Sequence, residues 1–361
     1  MKRFLVPGLL PACVLAAFVF SCFSCAAGFS GKAGEAGEAN KGDSESAATR
    51  QPLKAESVKV AALYNLTGGM SSIDAPGLNG VKLAASLINF RGGVRLRGKN
   101  SVKVEIIAYD TKSDMLNANK IASEAVSLQP VAGVGFGDTT FVIIAAPAFQ
   151  MAGIPFVTSG ATLTALPRIV GNRIFMAAYG DDSQAKAMAA FAVKTFKPTD
   201  GAANVAILAD TTMAFTRELS EYFKSFFTSM GGKIVLEDQF VSGDTDFSSQ
   251  VSKLKAKSPA PDAIFVSSAP EDAPLLVKQI RAAGVGIPIL SGDGFDCNIA
   301  EAIKDDKIAT NIYFTTHDYM GDNRPEVLDF IVAYEKEYGR KPENAFAALG
   351  FDAMNMIADA I

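Results

Sequence analysis

Three short stretches hold residue types that recognise small polar molecules: Gly137-Asp138-Thr139-Thr140, Thr158-Ser159-Gly160-Ala161-Thr162 and Ser291-Gly292-Asp293-Gly294-Phe295-Asp296. Each follows an apolar run of strand length. Threonine hydroxyls and free backbone N–H groups at the start of a helix can hold a carboxylate. An aspartate facing them across a cleft can hold an ammonium. Together the two would suit a small zwitterion. The same residues also cap helices and turn strands, and that role accounts equally well for any one loop.

Catalytic and metal chemistry find little here. The chain has one histidine, His317, at the end of the apolar run Ile312-Tyr313-Phe314 and beside Asp318. One histidine excludes a zinc site that needs two, and its position reads as a loop or strand end. Cys13, Cys22 and Cys25 crowd the N-terminus and leave only Cys297 in the body, so the body has no intrachain disulfide and no cysteine-rich metal site. Gly133-Val134-Gly135-Phe136-Gly137 lacks the spacing of a dinucleotide-binding loop, and no G-x-S-x-G elbow or nucleophile–base pair is present. An enzyme is therefore not expected, nor a cofactor. Net charge is −4 with the two signs mixed along the chain, without the basic stripe of a nucleic-acid binder.

The elements that must position the loops alternate regularly. Strands are expected at Val58–Tyr64, Val102–Tyr109, Val131–Gly135 and Ile154–Thr158, with helices near Leu78–Phe90, Met115–Leu128 and Thr139–Met151. The alternation then repeats. Strands fall at Val205–Ala209, Ile234–Glu237, Ala263–Ser267, Ile287–Leu290 and Ile312–Thr315, with helices near Ser183–Phe196, Thr216–Met230, Phe247–Lys257 and Ala273–Ala283. Strand–helix alternation predicts an α/β fold of open parallel sheets covered on both faces. Two such blocks predict two doubly wound lobes around a hinge and a ligand cleft. Ligands bind such sheets outside the carboxyl ends of the strands, where the three loops lie.

The N-terminus carries a different message. Lys2 and Arg3 precede an apolar run from Phe4 to Phe20 and a small-residue cluster with Cys22 and Cys25. This is the pattern of a signal peptide over residues 1–25, and an exported protein is expected. The cysteines at the processing zone resemble a bacterial lipobox, with Cys22 as the acylated residue and Cys25 as the alternative. Plain cleavage near Ala26-Ala27 is the competing reading. A retained span is less favoured, because Pro7, Gly8 and Pro11 interrupt a run already marginal for the ~20 residues a span needs. Residues 26–56 are poor in groups to bury and read as a flexible linker. Lobe one is expected over 57–180, rejoined by 318–361, and lobe two over 181–317.

Several segments together resemble a known family. They are Leu66-Thr67-Gly68-Gly69, Tyr109-Asp110, Ile154-Pro155-Phe156-Val157 with its Thr158–Thr162 loop, Asp181-Asp182-Ser183-Gln184, Asp244-Thr245-Asp246-Phe247, Leu290-Ser291-Gly292-Asp293-Gly294 and Leu349-Gly350-Phe351-Asp352-Ala353. In order and spacing they resemble the type I periplasmic binding proteins of the leucine/isoleucine/valine-binding class, which serve ABC importers. The resemblance implies that Thr139 and the loop Gly160, Ala161, Thr162 hold the ligand's carboxylate and part of its ammonium. It implies that Asp293 faces the ammonium. Phe215 stands roughly where many members carry a tyrosine, and Ile73 near an aromatic of the first loop. Ala269 and Pro270 replace a further aromatic stretch. Members also continue past the helix at Leu349–Ile361, which implies either a truncated chain here, the favoured reading, or a missing last crossing.

On this resemblance the protein captures an amino acid, branched-chain-like or another small zwitterion, by two-lobe closure. It then delivers the ligand to ABC permease and ATPase subunits. It is expected as a monomer, lipid-anchored and facing the periplasm or cell exterior. Crossings between lobes are expected near Ala178–Asp181 and Thr315–Asp318, with His317 in the hinge. The alternative is a ligand-sensing or surface-interaction lipoprotein of the same fold that feeds no transporter.

Overall fold

The computed structural model describes residues 57–96, 101–196 and 201–361. The expected signal peptide, both candidate lipidation cysteines and the expected linker at 26–56 lie outside the described residues.

The first sheet is built from β1 (Ser57–Tyr64), β2 (Val94–Arg95), β3 (Ser101–Asp110), β4 (Ala132–Gly135), β5 (Phe156–Thr158) and β6 (Ile174–Met176). Its order is β2-β3-β1-β4-β5-β6, parallel throughout except for the β2–β3 edge. The connecting helices are α1 (Ser71–Phe90), α2 (Met115–Ser127), α3 (Thr139–Met151) and the short α4 (Leu166–Ile169). Val60, Ala62, Leu63 and Tyr64 on the central β1 are buried, as a strand covered on both faces must be.

The second sheet is wholly parallel, in the order β11-β10-β9-β7-β8. Its strands are β7 (Asn204–Asp210), β8 (Lys233–Phe240), β9 (Ala263–Ser267), β10 (Ile289–Ser291) and β11 (Ile312–Phe314). Around it lie α5 (Asp181–Phe196), α6 (Ala214–Ser229), α7 (Ser248–Ala256), α8 (Ala273–Ala282) and α9 (Ile299–Ile303). Phe223 of α6 stacks on Phe265 of β9 with ring centroids 3.8 Å apart, fastening helix to sheet. Burying rings of this size stabilises by about 1.5–3 kcal/mol each.

The chain passes between sheets at 177–180 and 315–324, then adds α10 (Pro325–Tyr338) and α11 (Ala345–Ala360) to the first lobe. Two glycines let α11 press on α1. A Cβ at Gly80 would lie 1.9 Å from the Ala347 carbonyl oxygen, and one at Gly350 would lie 1.9 Å from that of Gly77.

The two-lobed α/β architecture with parallel sheets agrees with the reading of the sequence. Local boundaries differ in instructive ways. Helix α1 begins at Ser71, not near Leu78, and carries Pro76 inside it. Proline cannot donate to the carbonyl one turn back, which is that of Ser72. Asn344, just ahead of α11, donates its Nδ2 to that oxygen at 2.9 Å instead, so a tertiary contact repairs the helix. β2, β6, α4 and α9 are too short to show a period and were not expected; α10 was not expected either, although Val327, Phe330, Ile331 and Tyr334 recur at helical spacing between Pro325 and Gly339.

Candidate functional site

The two sheets point the carboxyl ends of their strands at one another, and the loops there enclose a small cavity. Met70, Ile73, Gly137, Asp138 and Phe346 line it from the first lobe. Met213, Phe215, Thr216, Ala269, Pro270, Asp293 and Gly294 line it from the second. Its volume is about 10 Å³, room for about one water molecule. The lobes therefore meet closely, and an amino acid would enter only if they parted.

Local sequence explains how each wall residue arrives. Asp293 opens a 3₁₀ turn, Asp293–Phe295, directly after β10 and Gly292. Phe215 stands in the first turn of α6 and turns its ring against Gly294, whose added Cβ would be 3.1 Å from the ring. Asp138 is the N-cap of α3, where Oδ1 accepts from Thr140 N at 2.7 Å and Phe141 N at 3.3 Å. Phe136 adopts a left-handed φ of 55° between β4 and α3. This turns Gly137 N toward Asp74 Oδ1, which accepts from it at 2.6 Å. Asp74 Oδ2 accepts from Asn65 N at 2.8 Å, so one buried carboxylate ties α1 to the ends of β1 and β4.

The site is acidic. Asp293 Oδ2 lies 2.7 Å from His317 Nε2, both side chains being buried, while Asp293 Oδ1 is buried with no hydrogen-bond partner among the described residues. The His317 ring packs on Tyr179 with centroids 4.3 Å apart. Gln184 Oε1 accepts from Asp293 N at 3.1 Å and Thr315 Oγ1 at 2.8 Å, tying the first turn of α5 to the second crossing beneath the aspartate. Burial pushes the Asp138 carboxyl up to about 6, with the Asp293 charge adding to the shift. Burial and then Asp293 hold the Asp181 carboxyl well above the usual range. Burial alone dominates at Asp74, pushed up to about 7. Charges taken out of water behave in this way unless paired.

Lobe-to-lobe bonds flank the cavity. Thr140 Oγ1 accepts from Ala214 N at 3.0 Å, linking α3 to α6. Asp296 Oδ2 accepts from Ala345 N at 3.0 Å and from Thr316 Oγ1 at 2.7 Å, so a lobe-two carboxylate caps the first turn of α11 in lobe one. Tyr179 donates its hydroxyl to the Thr316 carbonyl across the two crossings.

Of the residues named from sequence, Ile73, Phe215 and Asp293 stand together in the cavity wall, as do Ala269 and Pro270. Thr139, Gly160, Ala161 and Thr162 are not among the lining residues, although the three non-glycine members are buried. Gly160 packs against Gly137 and Phe346, both of which do line it. Thr139 Oγ1 is buried without a hydrogen-bond partner. Sequence reading missed Met70, Asp138, Met213 and Phe346 as wall residues and missed His317 as the partner of Asp293. Only Asp138 carried a local signal, as a helix cap in a loop already singled out.

The periplasmic binding protein family profile matches residues 57–361. LivJ, the branched-chain amino acid transporter substrate-binding protein of Streptococcus pneumoniae solved with isoleucine, is 26% identical at a TM-score of 0.76, over 84% of this chain and 83% of that one. The leucine-binding protein LivK of Thermotoga maritima is 30% identical at a TM-score of 0.74, over 84% and 82%. Leu/Ile/Val-binding protein homolog 7 of Brucella abortus (strain 2308) is 22% identical over 84% of this chain and 76% of its own. A Rhodopseudomonas palustris solute-binding protein solved with benzoate shares the fold at 19% identity and a TM-score of 0.70, over 83% of this chain and 79% of that one. The chain belongs to the periplasmic binding protein family, and its two-lobed form is that of a type I substrate-binding protein, not an enzyme.

Proposed function

We propose that this protein captures an amino acid or a similar small zwitterion outside the cytoplasm and delivers it to an ABC importer. The observation that carries the reading is Asp293: a buried carboxylate in the cavity wall with one oxygen, Oδ1, lacking any partner. A ligand ammonium is the group such an oxygen needs, since an unpaired buried acceptor is costly. Thr139 Oγ1, buried and without a partner, is the candidate donor to the ligand carboxylate, together with the backbone of Gly160, Ala161 and Thr162. Ile73 and Phe215 would meet the side chain. LivJ, solved with isoleucine, and LivK, a leucine-binding protein, support capture of an amino acid.

Capture works by hinge closure. The ligand binds one parted lobe, and the closed form gains only the contacts made by the second lobe. In this reading Asp293 and Phe215 supply those contacts. Permease and ATPase subunits are the implied partners. The mature protein is proposed to be a monomer anchored through a lipid on Cys22, with Cys25 as the alternative.

Thermal unfolding of the protein against the twenty amino acids tests the reading. The chain has no tryptophan, so calorimetry or a dye must report. A ligand at 100 times its dissociation constant adds about 2.7 kcal/mol to stability. A shift confined to one class of amino acid, abolished by Asp293→Ala, is expected. No shift with any amino acid from a folded sample would overturn it.

A further inference from the structure

The cavity wall brings two carboxylates together from opposite lobes. Asp138 comes from the cap of α3, and Asp293 from the turn after β10; both are at least 95% buried. No lysine or arginine is among the residues that line the cavity. His317 takes one oxygen of Asp293, and Oδ1 remains without a partner. At Asp138 both helix N–H bonds fall on Oδ1, which leaves Oδ2 outside the cap. The rest of the wall is apolar apart from Thr216: Met70, Ile73, Met213, Phe215 and Phe346 supply most of it.

We propose that the ligand is an α-amino acid whose short side chain itself ends in a cation, received by Asp138, and not a branched aliphatic one. The inference rests on the amino-acid capture proposed above and assigns Asp138 as the residue that sets specificity. An α-ammonium satisfies Asp293 alone. With an aliphatic ligand the closing lobes would trap Asp138 against hydrocarbon, and a carboxylate buried without a counter-charge is strongly disfavoured. A second ammonium at the end of a methylene stem removes that conflict, because the stem lies on the apolar wall while its head reaches the acid. Serine, threonine or asparagine would cap α3 without any charge, so the cap by itself does not call for a carboxylate. Asp138 accepts hydrogen bonds from Thr140 and Phe141 but has no cationic partner in the cavity wall, and burial, with Asp293 adding to it, outweighs those bonds and pushes its carboxyl up.

Calorimetric titration of the purified protein with 2,4-diaminobutyrate, ornithine and lysine, with norvaline and norleucine as the uncharged isosteres of the first two, and with leucine, provides the test. The shorter diamino acids are expected to bind at least about tenfold more tightly than the uncharged set. Asp138→Asn retains a capping side chain, and its ligand-free melting temperature checks that it folds. In this variant the ratio of the two affinities should fall by about tenfold. Wild-type preference for leucine or norleucine would overturn the inference and leave amino-acid capture standing. So would a diamino-acid preference that survives Asp138→Asn. Failure of every α-amino acid to bind would overturn both.

Discussion

His317 Nε2 lies 2.7 Å from Asp293 Oδ2, and both side chains are almost wholly buried. The histidine sits on the crossing that leads from β11 back to lobe one; the aspartate sits on lobe two and lines the cleft. The pair thus joins the hinge to the wall of the site. Movement of the crossing during closure would move the aspartate with it.

Removing the imidazole should expose this dependence. His317→Ala leaves Asp293 buried without a partner on either oxygen, which is expected to destabilise the protein by about 1–3 kcal/mol. Urea unfolding of the variant measures that loss. A midpoint and ligand affinity both equal to wild type would show that the pair supports neither fold nor site.

The bond between Thr140 Oγ1 and Ala214 N, at 3.0 Å, holds α3 against α6 beside the cavity. Thr140→Val keeps the shape and removes the acceptor. Loss of one such bond should favour the parted lobes by about 0.5–1.5 kcal/mol. Small-angle scattering should then report a larger average radius of gyration than wild type; an unchanged profile would count against a role in closure.

The approach of α1 to α11 depends on two missing side chains. At Gly80 and at Gly350 an added Cβ would collide with a carbonyl oxygen of the opposing helix at 1.9 Å. Gly80→Ala or Gly350→Ala must push the helices apart, and overpacking of this kind costs about 1–3 kcal/mol. Calorimetric melting of each variant tests this, and wild-type stability would mean that the helices yield freely.

Stability should also depend on pH through the buried acids. Burial pushes the Asp74 carboxyl up to about 7 and the Asp138 carboxyl up to about 6. In the unfolded chain both return to about 4. Between those limits the folded protein binds more protons than the unfolded one, so this contribution to stability is full below about pH 4 and is lost as the pH rises toward 7. Urea unfolding at about pH 5 and about pH 7.5 should show wild type losing stability with rising pH, and Asp74→Asn losing less. An identical slope in the variant would remove Asp74 as the cause.

Most of the fold was legible in the chain, because it is written locally. β9 is a short, nearly continuous apolar run and β1 is one from Val60 to Tyr64, and α2 and α3 announce themselves with aspartate caps at Asp114 and Asp138. The first two turns of α1 were not legible. Ser71, Ser72 and Pro76 are poor helix signals, and the bond that rescues them comes from Asn344, far along the chain.

The sequence by itself determined that the chain alternates strand and helix in two blocks, and that small polar loops follow the strands. It also limited metal and nucleophile chemistry, through a single histidine and a body with one cysteine. Tertiary structure alone decided which loops form one wall. It set Asp138 opposite Asp293, placed His317 against the latter, and closed Met70, Met213 and Phe346 around them. The physical reason is that strand and helix periodicity is a property of neighbours within a few residues. A cavity wall and the fields of its buried charges depend instead on separations in space between residues distant in sequence.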